Sequence, residues 1–265
     1  MTQHTNTSME KTNWIGIKTL IQKEVGRFLN VYLQTIIAPV VTTFLFYVIF
    51  TVAFQGLDGR GIHGIPYMHF LVPGLIMMAM AQNAFANTAS SLIIGKVQGN
   101  IIDVLMPPFA PWEILTGYMT GGVLRGFLIG LVSVCTLAPF IGIHIERPIL
   151  LIVFGILGTG MLSLLGIVSG IWAEKFDHNA AITNFVVMPL TFLSGTFYSI
   201  DRLTPVWQTI AYINPFFYMI DGFRAGFIGQ SDMPIMLGIT VLIAVNLTLW
   251  TLALLMLRSG YKIKS

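Results

Sequence analysis

Charged residues and cysteine are scarce in this sequence. Only 9% of the 265 residues are charged, whereas 55% are hydrophobic and the mean hydropathy is +0.80. Soluble globular domains are usually about 25% charged. The single cysteine, Cys135, excludes an intramolecular disulfide. No basic cluster lies on a polar domain, which argues against nucleic acid as a partner. The composition therefore predicts an all-α, polytopic membrane protein whose main solvent is lipid.

Sequence motifs for nucleotide binding and hydrolysis are also absent. There is no G-x-x-x-x-G-K-[ST] phosphate loop and no G-x-S-x-G nucleophile elbow. The histidines are scattered, without the helical spacing of metal ligands: His4, His63, His69, His144 and His178. The sequence thus predicts no enzyme activity, no metal site and no cofactor bound by this chain. Its polar N-terminal region predicts no cleavable signal peptide. Active transport would draw energy from another chain or from an ion gradient.

Long apolar runs predict six transmembrane spans, each suited to a hydrocarbon core of about 30 Å. The transmembrane domain covers residues 31–257. It is flanked by residues 1–30, a cytoplasmic tail with an amphipathic helix, and by residues 258–265, a basic tail. The predicted spans are residues 31–54, 68–94, 113–140, 148–172, a fifth that begins after residue 179, and 234–257.

Residues 13–30 have the spacing of an amphipathic helix. The face that carries Lys23 and Arg27 is polar, which predicts a helix lying along the lipid headgroups with its basic side in water. A soluble helix packed on a partner is the alternative interpretation. The apolar face consists of Trp14, Ile17, Ile21, Val25 and Phe28.

Polar side chains inside the spans are candidates for the wall of a transport path, because such groups usually face other helices or water. In the second span these are Gln82, Asn83 and Asn87; hydrogen bonding between helices is the alternative. In the third span, Arg125 either faces a partner or wet cavity or snorkels to the interface. Glycines in that span indicate close packing, within the chain or at a dimer seam: Gly117, Gly121, Gly122, Gly126 and Gly130.

The loop over residues 95–112 interrupts the spans with a short helix. Asn100 is a good N-cap, and Pro107-Pro108 stops the helix after about two turns. A helix of this length is unstable alone, so it predicts a surface on which to dock; an ordinary interfacial loop is the alternative. The candidate docking residues are Asn100, Ile101, Ile102, Asp103, Val104, Leu105 and Met106.

Residues 185–227 begin as a membrane span and then become irregular. Pro189 lies in the apolar run, and Asn214-Pro215 breaks a second apolar segment that is too short to cross a bilayer. Backbone this irregular survives near membrane depth only when protein or a wet cavity surrounds it. The pattern predicts short re-entrant helices before the last span. Asp221 and Arg224, three residues apart on a helix, are predicted to pair and to hold these external helices in place.

The same stretch carries a family resemblance. Pro189-Leu190, the Phe192–Gly195 segment, Asn214-Pro215 and the run from Asp221 to Arg224 resemble the signature of ABC-2 type permeases. The resemblance implies a membrane subunit of an ATP-driven exporter, in which two permeases pair with two ATPase subunits that hold ATP and Mg. It also implies that residues 100–106 form the coupling helix, which docks on the ATPase. The expected cargo is a lipid-linked, glycan or drug-like solute, exported across a bacterial inner membrane by a homodimer.

The distribution of basic residues predicts the orientation. Nine of them fall on the side of the termini, four on the other side, and Arg125 within a span. Both termini are therefore predicted to be cytoplasmic. The nine are Lys11, Lys18, Lys23, Arg27, Lys96, Lys175, Arg258, Lys262 and Lys264, and the four are Arg60, Arg147, Arg202 and Arg224.

Two other functions compete with a motor-driven permease. An ion-coupled secondary carrier or channel usually places carboxylates within its spans, whereas here almost all lie in loops or at span ends. A membrane-embedded lipid enzyme would need a convergent polar set, and none is evident. The crowded aromatics of the external half form either an interfacial belt or a stacking surface for cargo: Phe185, Phe192, Phe197, Tyr198, Trp207, Tyr212, Phe216, Phe217 and Tyr218.

Overall fold

A computed structural model of the chain describes residues 12–54, 64–142 and 144–262. Residues 1–11, most of the predicted first external loop and residues 263–265 lie outside this part. The described α-helices are α1 (Trp14–Leu29), α2 (Ala38–Ala53), α3 (Tyr67–Val97), α4 (Ile101–Leu105), α5 (Pro111–Ile141), α6 (Pro148–Trp172), α7 (Phe176–Ile182), α8 (Met188–Phe192), α9 (Pro205–Ile213), α10 (Pro215–Ile228) and α11 (Ile235–Ser259).

Five of the described helices are long and apolar enough to cross a membrane: Leu33–Ala53, α3, α5, α6 and α11. Their bounds lie within a few residues of five of the six predicted spans. The predicted fifth span is instead a composite run over residues 176–192, made of α7, a π-helical turn (Thr183–Val187) and α8. This run is shorter than the five long helices. The predicted count of six spans is therefore not confirmed.

Helix α3 forms the centre of the bundle. In its apolar window 78% of the residues are buried, against 17% for Leu33–Ala53 and 11% for α11. It packs against α5, α6 and α10, while α2 and α11 lie at the periphery with their apolar side chains exposed. Because lipid is as apolar as these side chains, such an arrangement suits a membrane and would be unsuited to water.

Two π-helical turns precede prolines at matching positions. Leu33–Ile37 comes just before Ala38-Pro39, and Thr183–Val187 just before Met188-Pro189. The backbone N–H of Ala38 donates to the carbonyl of Leu33, five residues back. Proline lacks an N–H and clashes with the carbonyl four residues earlier, and a wide turn relieves that clash while keeping backbone groups bonded.

The glycines of α5 let neighbouring elements of the same chain approach. A Cβ at Gly117 would lie 2.5 Å from Leu20 Cδ2, and one at Gly121 would lie 2.6 Å from Glu24 Cβ. On another face, a Cβ at Gly126 would lie 2.9 Å from the Met80 carbonyl oxygen. At these positions the glycines serve packing within one chain.

Helix α1 runs alongside α5 instead of lying with one apolar face on the headgroups. Asn13 contacts Glu113, and Leu20 and Glu24 contact Gly117 and Gly121 in turn. The predicted orientation is therefore wrong in part, since Trp14 is 72% exposed and Arg27 turns inward. The buried face consists of Ile17, Leu20, Glu24 and Phe28.

Candidate functional site

Helix α4 lies at the end of the bundle where α3 ends and α5 begins. It has five residues, shorter than predicted, and Asn100 occupies its N-cap position as predicted. The Asn100 side chain makes no capping hydrogen bond and donates to Gln98 Oε1 instead. Val104 is buried against the chain's own core and Ile101 packs beside it. The remaining members of the predicted set are exposed: Ile102, Asp103, Leu105 and Met106.

The beginnings of α1 and α5 are tied together next to α4. The buried carboxylate of Glu113 accepts from the backbone N–H of Asn13 at 2.6 Å and from that of Ala110 at 2.8 Å. Asn13 Oδ1 in turn caps α1 by accepting from Gly16 N. Trp14 and Ile15 therefore stand exposed beside α4. We call the exposed set the docking surface: Trp14, Ile15, Ile102, Asp103, Leu105 and Met106.

A cavity of about 360 Å³ opens between α2, α3 and α8, and we call it the groove. Gln82 and Asn83, two of the predicted path-lining candidates, are half-buried in its wall together with Gln34 and Thr42. The complete lining is Gln34, Ala38, Pro39, Thr42, Thr43, Phe46, Leu75, Met78, Ala79, Gln82, Asn83, Met188 and Phe192.

Arg125 lies directly behind the groove wall. Its Nη2 donates to Asn83 Oδ1 at 2.9 Å and to the Thr35 carbonyl at 3.3 Å. Asn83 Nδ2 donates to the carbonyl of Ala79 on its own helix. Asn83 thus takes part in a bond between helices and lines the groove at the same time.

Asn87 belongs to a different place, a buried polar cluster between α1 and α3. Arg27 Nη2 lies 3.0 Å from Glu24 Oε2, 2.9 Å from Asn87 Oδ1 and 2.8 Å from the Asn87 carbonyl. The Ser91 hydroxyl donates to Glu24 Oε1 at 2.6 Å. Glu24 and Asn87 are both fully buried. In this structure Asn87 is therefore a contact residue of the N-terminal helix and does not line the groove.

Gly121→Ala should loosen α1 from the bundle. The new methyl would lie 2.6 Å from Glu24 Cβ, and overpacking of this kind costs about 1–3 kcal/mol. The free energy of unfolding, measured by titration of detergent micelles with SDS, should fall by that amount. Gly26→Ala is the matched control, because no atom lies within 4 Å of its added Cβ and alanine stabilises a helix by about 0.5–1 kcal/mol relative to glycine. Equal stability of the two variants would contradict the assigned contact.

Asp221 and Arg224 are buried on α10 but do not pair with each other in the described structure. Asp221 accepts from the Ser231 hydroxyl at 2.6 Å and from the N–H of Asp232 at 2.9 Å. Arg224 Nε donates to the Phe70 carbonyl at 3.1 Å and Nη2 to that of Gly195 at 2.7 Å. The predicted ion pair is therefore wrong. The carboxylate is bonded to the segment before α11, and the guanidinium links α3 to the segment after α8.

Two groups of the external aromatic residues lie in different environments. Phe216 and Phe217 are core residues. Phe197 instead stacks with Phe50, with ring centroids 5.2 Å apart, and with Phe192 at 5.5 Å. Since Phe192 also lines the groove, an aromatic cluster closes one end of it. Phe185 and Trp207 belong to neither group and are exposed, so the interfacial belt and the stacking surface both stay predictions.

The C-terminal end of the described chain is held by an exposed ion pair. Lys262 Nζ lies 2.7 Å from Glu174 Oε1 in the turn after α6. This hydrogen bond lowers the pKa of the Glu174 carboxyl and raises the pKa of the Lys262 amine. Both groups therefore stay charged near neutral pH, and this pair serves attachment and not proton transfer.

Glu24 is a buried carboxylate of the α1–α3 contact that the sequence interpretation missed. It lies four residues before Phe28 and seven after Ile17, so a helical projection places it inside the apolar stripe. That position was the available signal, because a charge within an apolar stripe is either paired or functional.

Comparison with known proteins gives a consistent result. Residues 16–228 match the family described as ABC-2 type transporter. The chain is 35% identical over 252 residues to "Inner membrane transport permease YadH" of Escherichia coli (strain K12), covering 95% of this chain and 98% of that protein. It is also 28% identical over 185 residues to "Nodulation protein J" of Rhizobium leguminosarum bv. viciae, covering 68% of this chain and 70% of that protein.

Proposed function

This chain belongs to the ABC-2 type transporter family, and on that premise we propose that it is the permease subunit of an ATP-driven exporter. Its path carries a lipid-linked, glycan or drug-like solute across a bacterial inner membrane. The relative in E. coli is named an inner membrane transport permease, and this name supports both the transport role and the location.

The observation that carries the proposal is the docking surface. Helix α4 has five residues, and its exposed side includes Ile102, Leu105 and Met106, the last of which is 78% exposed. A helix this short is unstable alone. If the chain acted by itself, burying these side chains in its own core would stabilise it. Three exposed apolar side chains around Asp103 are instead suited to a groove on another protein. That protein is the ATPase, in two copies, which supplies bound ATP and Mg.

The proposed arrangement in the membrane has six spans. The composite run over residues 176–192 is at the lower limit of a spanning helix, about 17 residues, and serves as the fifth. Both termini and the docking surface are cytoplasmic. Helices α9 and α10 are the re-entrant elements: α10 is almost wholly buried, whereas α9 exposes Val206, Trp207 and Ile213, as expected of a helix at the outer interface.

Two copies of the chain form the transporter, and the groove is one half of the path between them. Its polar residues Gln82 and Asn83 lie with Gln34 and Thr42 in a lining that is otherwise mostly apolar. A second copy that covers the groove would enclose these groups in a wet channel.

The decisive experiment is purification of the affinity-tagged chain from its native membranes in mild detergent. A protein with a phosphate loop should co-purify in equal amount, and the complex should hydrolyse ATP while the isolated chain does not. Two results would contradict the proposal: recovery without any ATPase, and transport by the isolated chain in liposomes under an ion gradient. The second result would support the ion-coupled carrier.

A further inference from the structure

Arg125 is a buried cation whose described partners are all neutral. It is 7% exposed, its Nη2 bonds are to an amide and a backbone carbonyl, and its buried Nε has no hydrogen-bond partner. Among the described residues no carboxylate lies within ion-pairing distance of it. The charge that does act on it is that of Arg27, which has the same sign. Arg27, by contrast, is paired with Glu24.

Structural needs alone do not explain a charge at this position. Removing an ion from water costs several kcal/mol. A neutral glutamine could donate the two bonds that Arg125 makes to Asn83 on α3 and to Thr35 in the π-helical turn before α2. An ionisable group inside a span is therefore a candidate functional site whose partner must be found. Here the counter-charge has to come from outside the chain.

The groove is where such a counter-charge would enter. Asn83 is the side chain between the guanidinium and the groove, and its oxygen is bonded to Arg125. Gln82 and Gln34 line the same cavity and supply further N–H donors. The cavity volume of about 360 Å³ exceeds what one headgroup anion needs and lies within the usual range of ligand pockets, about 300–1,000 Å³.

The depth of Arg125 also suits an amphiphile that enters from the inner leaflet. Arg125 lies about 16 residues, or roughly 24 Å, from the end of α5 at Ile141. If Ile141 is taken as the outer boundary of a hydrocarbon core of about 30 Å, the backbone of Arg125 lies some 6 Å inside the inner boundary. The phosphate of an inner-leaflet amphiphile reaches this level while its chain remains in lipid.

We infer that Arg125 and Asn83 form an anion site at the inner end of the groove, which takes the phosphate or carboxylate of an amphiphile. This inference rests on the proposed function and narrows its cargo class. When the anion enters, the Asn83 amide releases Nη2, and the guanidinium binds the oxyanion through parallel N–H donors. The same chemistry has two sources, the transported amphiphile or a resident anionic membrane lipid.

The test uses the full-length chain in nanodiscs of phosphatidylcholine, without ATPase, and the probes dodecyl phosphate and uncharged dodecanol. Apparent Kd values follow from the ligand-dependent shift in unfolding temperature. Wild type should prefer dodecyl phosphate, and Arg125→Gln should weaken that binding at least about tenfold while leaving dodecanol unaffected. Arg125→Lys, which keeps the charge, should retain most of the affinity, and Arg202→Gln, an exposed arginine, should match wild type.

Equal affinity of wild type and a folded Arg125→Gln for dodecyl phosphate would overturn the inference. If that variant does not fold, the ionic-strength dependence of wild-type binding decides: a charge-based site weakens as salt rises, and salt-independent binding would equally overturn it. Phosphatidylglycerol that co-purifies with wild type but not with Arg125→Gln identifies the resident lipid as the source. Stimulation of ATP hydrolysis in the complex by dodecyl phosphate identifies the cargo. Binding is measured without the ATPase. The result therefore does not depend on whether the chain is driven by an ATPase, and the two proposals can fail separately.

Discussion

Leu105→Asp should reduce the recovery of ATPase with the purified chain at least about tenfold. Leu105 is exposed on α4, so the substitution leaves the core of the permease intact while placing a charge in the centre of the docking surface. Truncation or charging of a central interface residue commonly costs 2 kcal/mol or more, about thirtyfold in affinity. Co-purification in detergent and ATP hydrolysis by the resulting complex measure the effect.

Three further variants make this result specific. Asp103→Lys reverses the charge of the same surface and should also reduce recovery. Gln230→Asp, exposed near the opposite end of the bundle, should leave recovery unchanged. Val104→Asp is different in kind, because Val104 is buried against the chain's own core and its loss should lower permease yield itself. Full recovery of the ATPase with both Leu105→Asp and Asp103→Lys would mean that the motor docks elsewhere.

Arg224→Met should destabilise the permease by about 3 kcal/mol. The substitution removes the side-chain donor of the Gly195 carbonyl and the second donor of the Phe70 carbonyl within α3, and an unpaired buried group costs about 1–3 kcal/mol. It also removes the guanidinium from above the Phe70 ring, where Cζ lies 3.6 Å from the ring centroid, a contact worth about 2 kcal/mol when desolvated. Methionine carries no charge, so the variant avoids the desolvation cost of a buried cation, and this offsets part of the loss in stability.

Unfolding in SDS–detergent mixtures measures the Arg224 effect. Arg224→Lys should recover less than half of the loss, because an ammonium cannot donate in two directions and stack as a planar group does. Arg202→Met changes an exposed arginine on a neighbouring segment and should fall within about 0.5 kcal/mol of wild type. Wild-type stability of Arg224→Met would show that α3 and the segment after α8 are held together by other contacts.

The long spans could be predicted from the sequence because a single property decides them. An apolar run of about 20 residues has few alternatives in lipid, and α3, α5, α6 and α11 begin and end within a few residues of their predicted bounds. The run over residues 176–192 was harder, since α7 is exposed and polar at its start and hydropathy alone does not show where a span begins in such a segment.

Partners of individual polar side chains could not be predicted, because each depends on which neighbour reaches a given helix face. Gln82 and Asn83 face the groove whereas Asn87, four residues further along, faces α1. The rule that groups three residues apart pair on a helix applies to exposed helices. On buried α10, unbonded backbone groups at the ends of nearby elements compete for Asp221 and Arg224, and those groups prevail.

The two π-helical turns beside the groove allow the backbone of its side walls to rearrange. Leu33–Ile37 and Thr183–Val187 each hold a residue more than a regular turn needs. If the π-helical turn moves by one residue along the helix, the side chain that it passes rotates by roughly 100° about the helix axis. The ends of the span do not move. Since α3 behind them is one continuous helix, the two elements beside the groove can change register while the helix behind it stays in place.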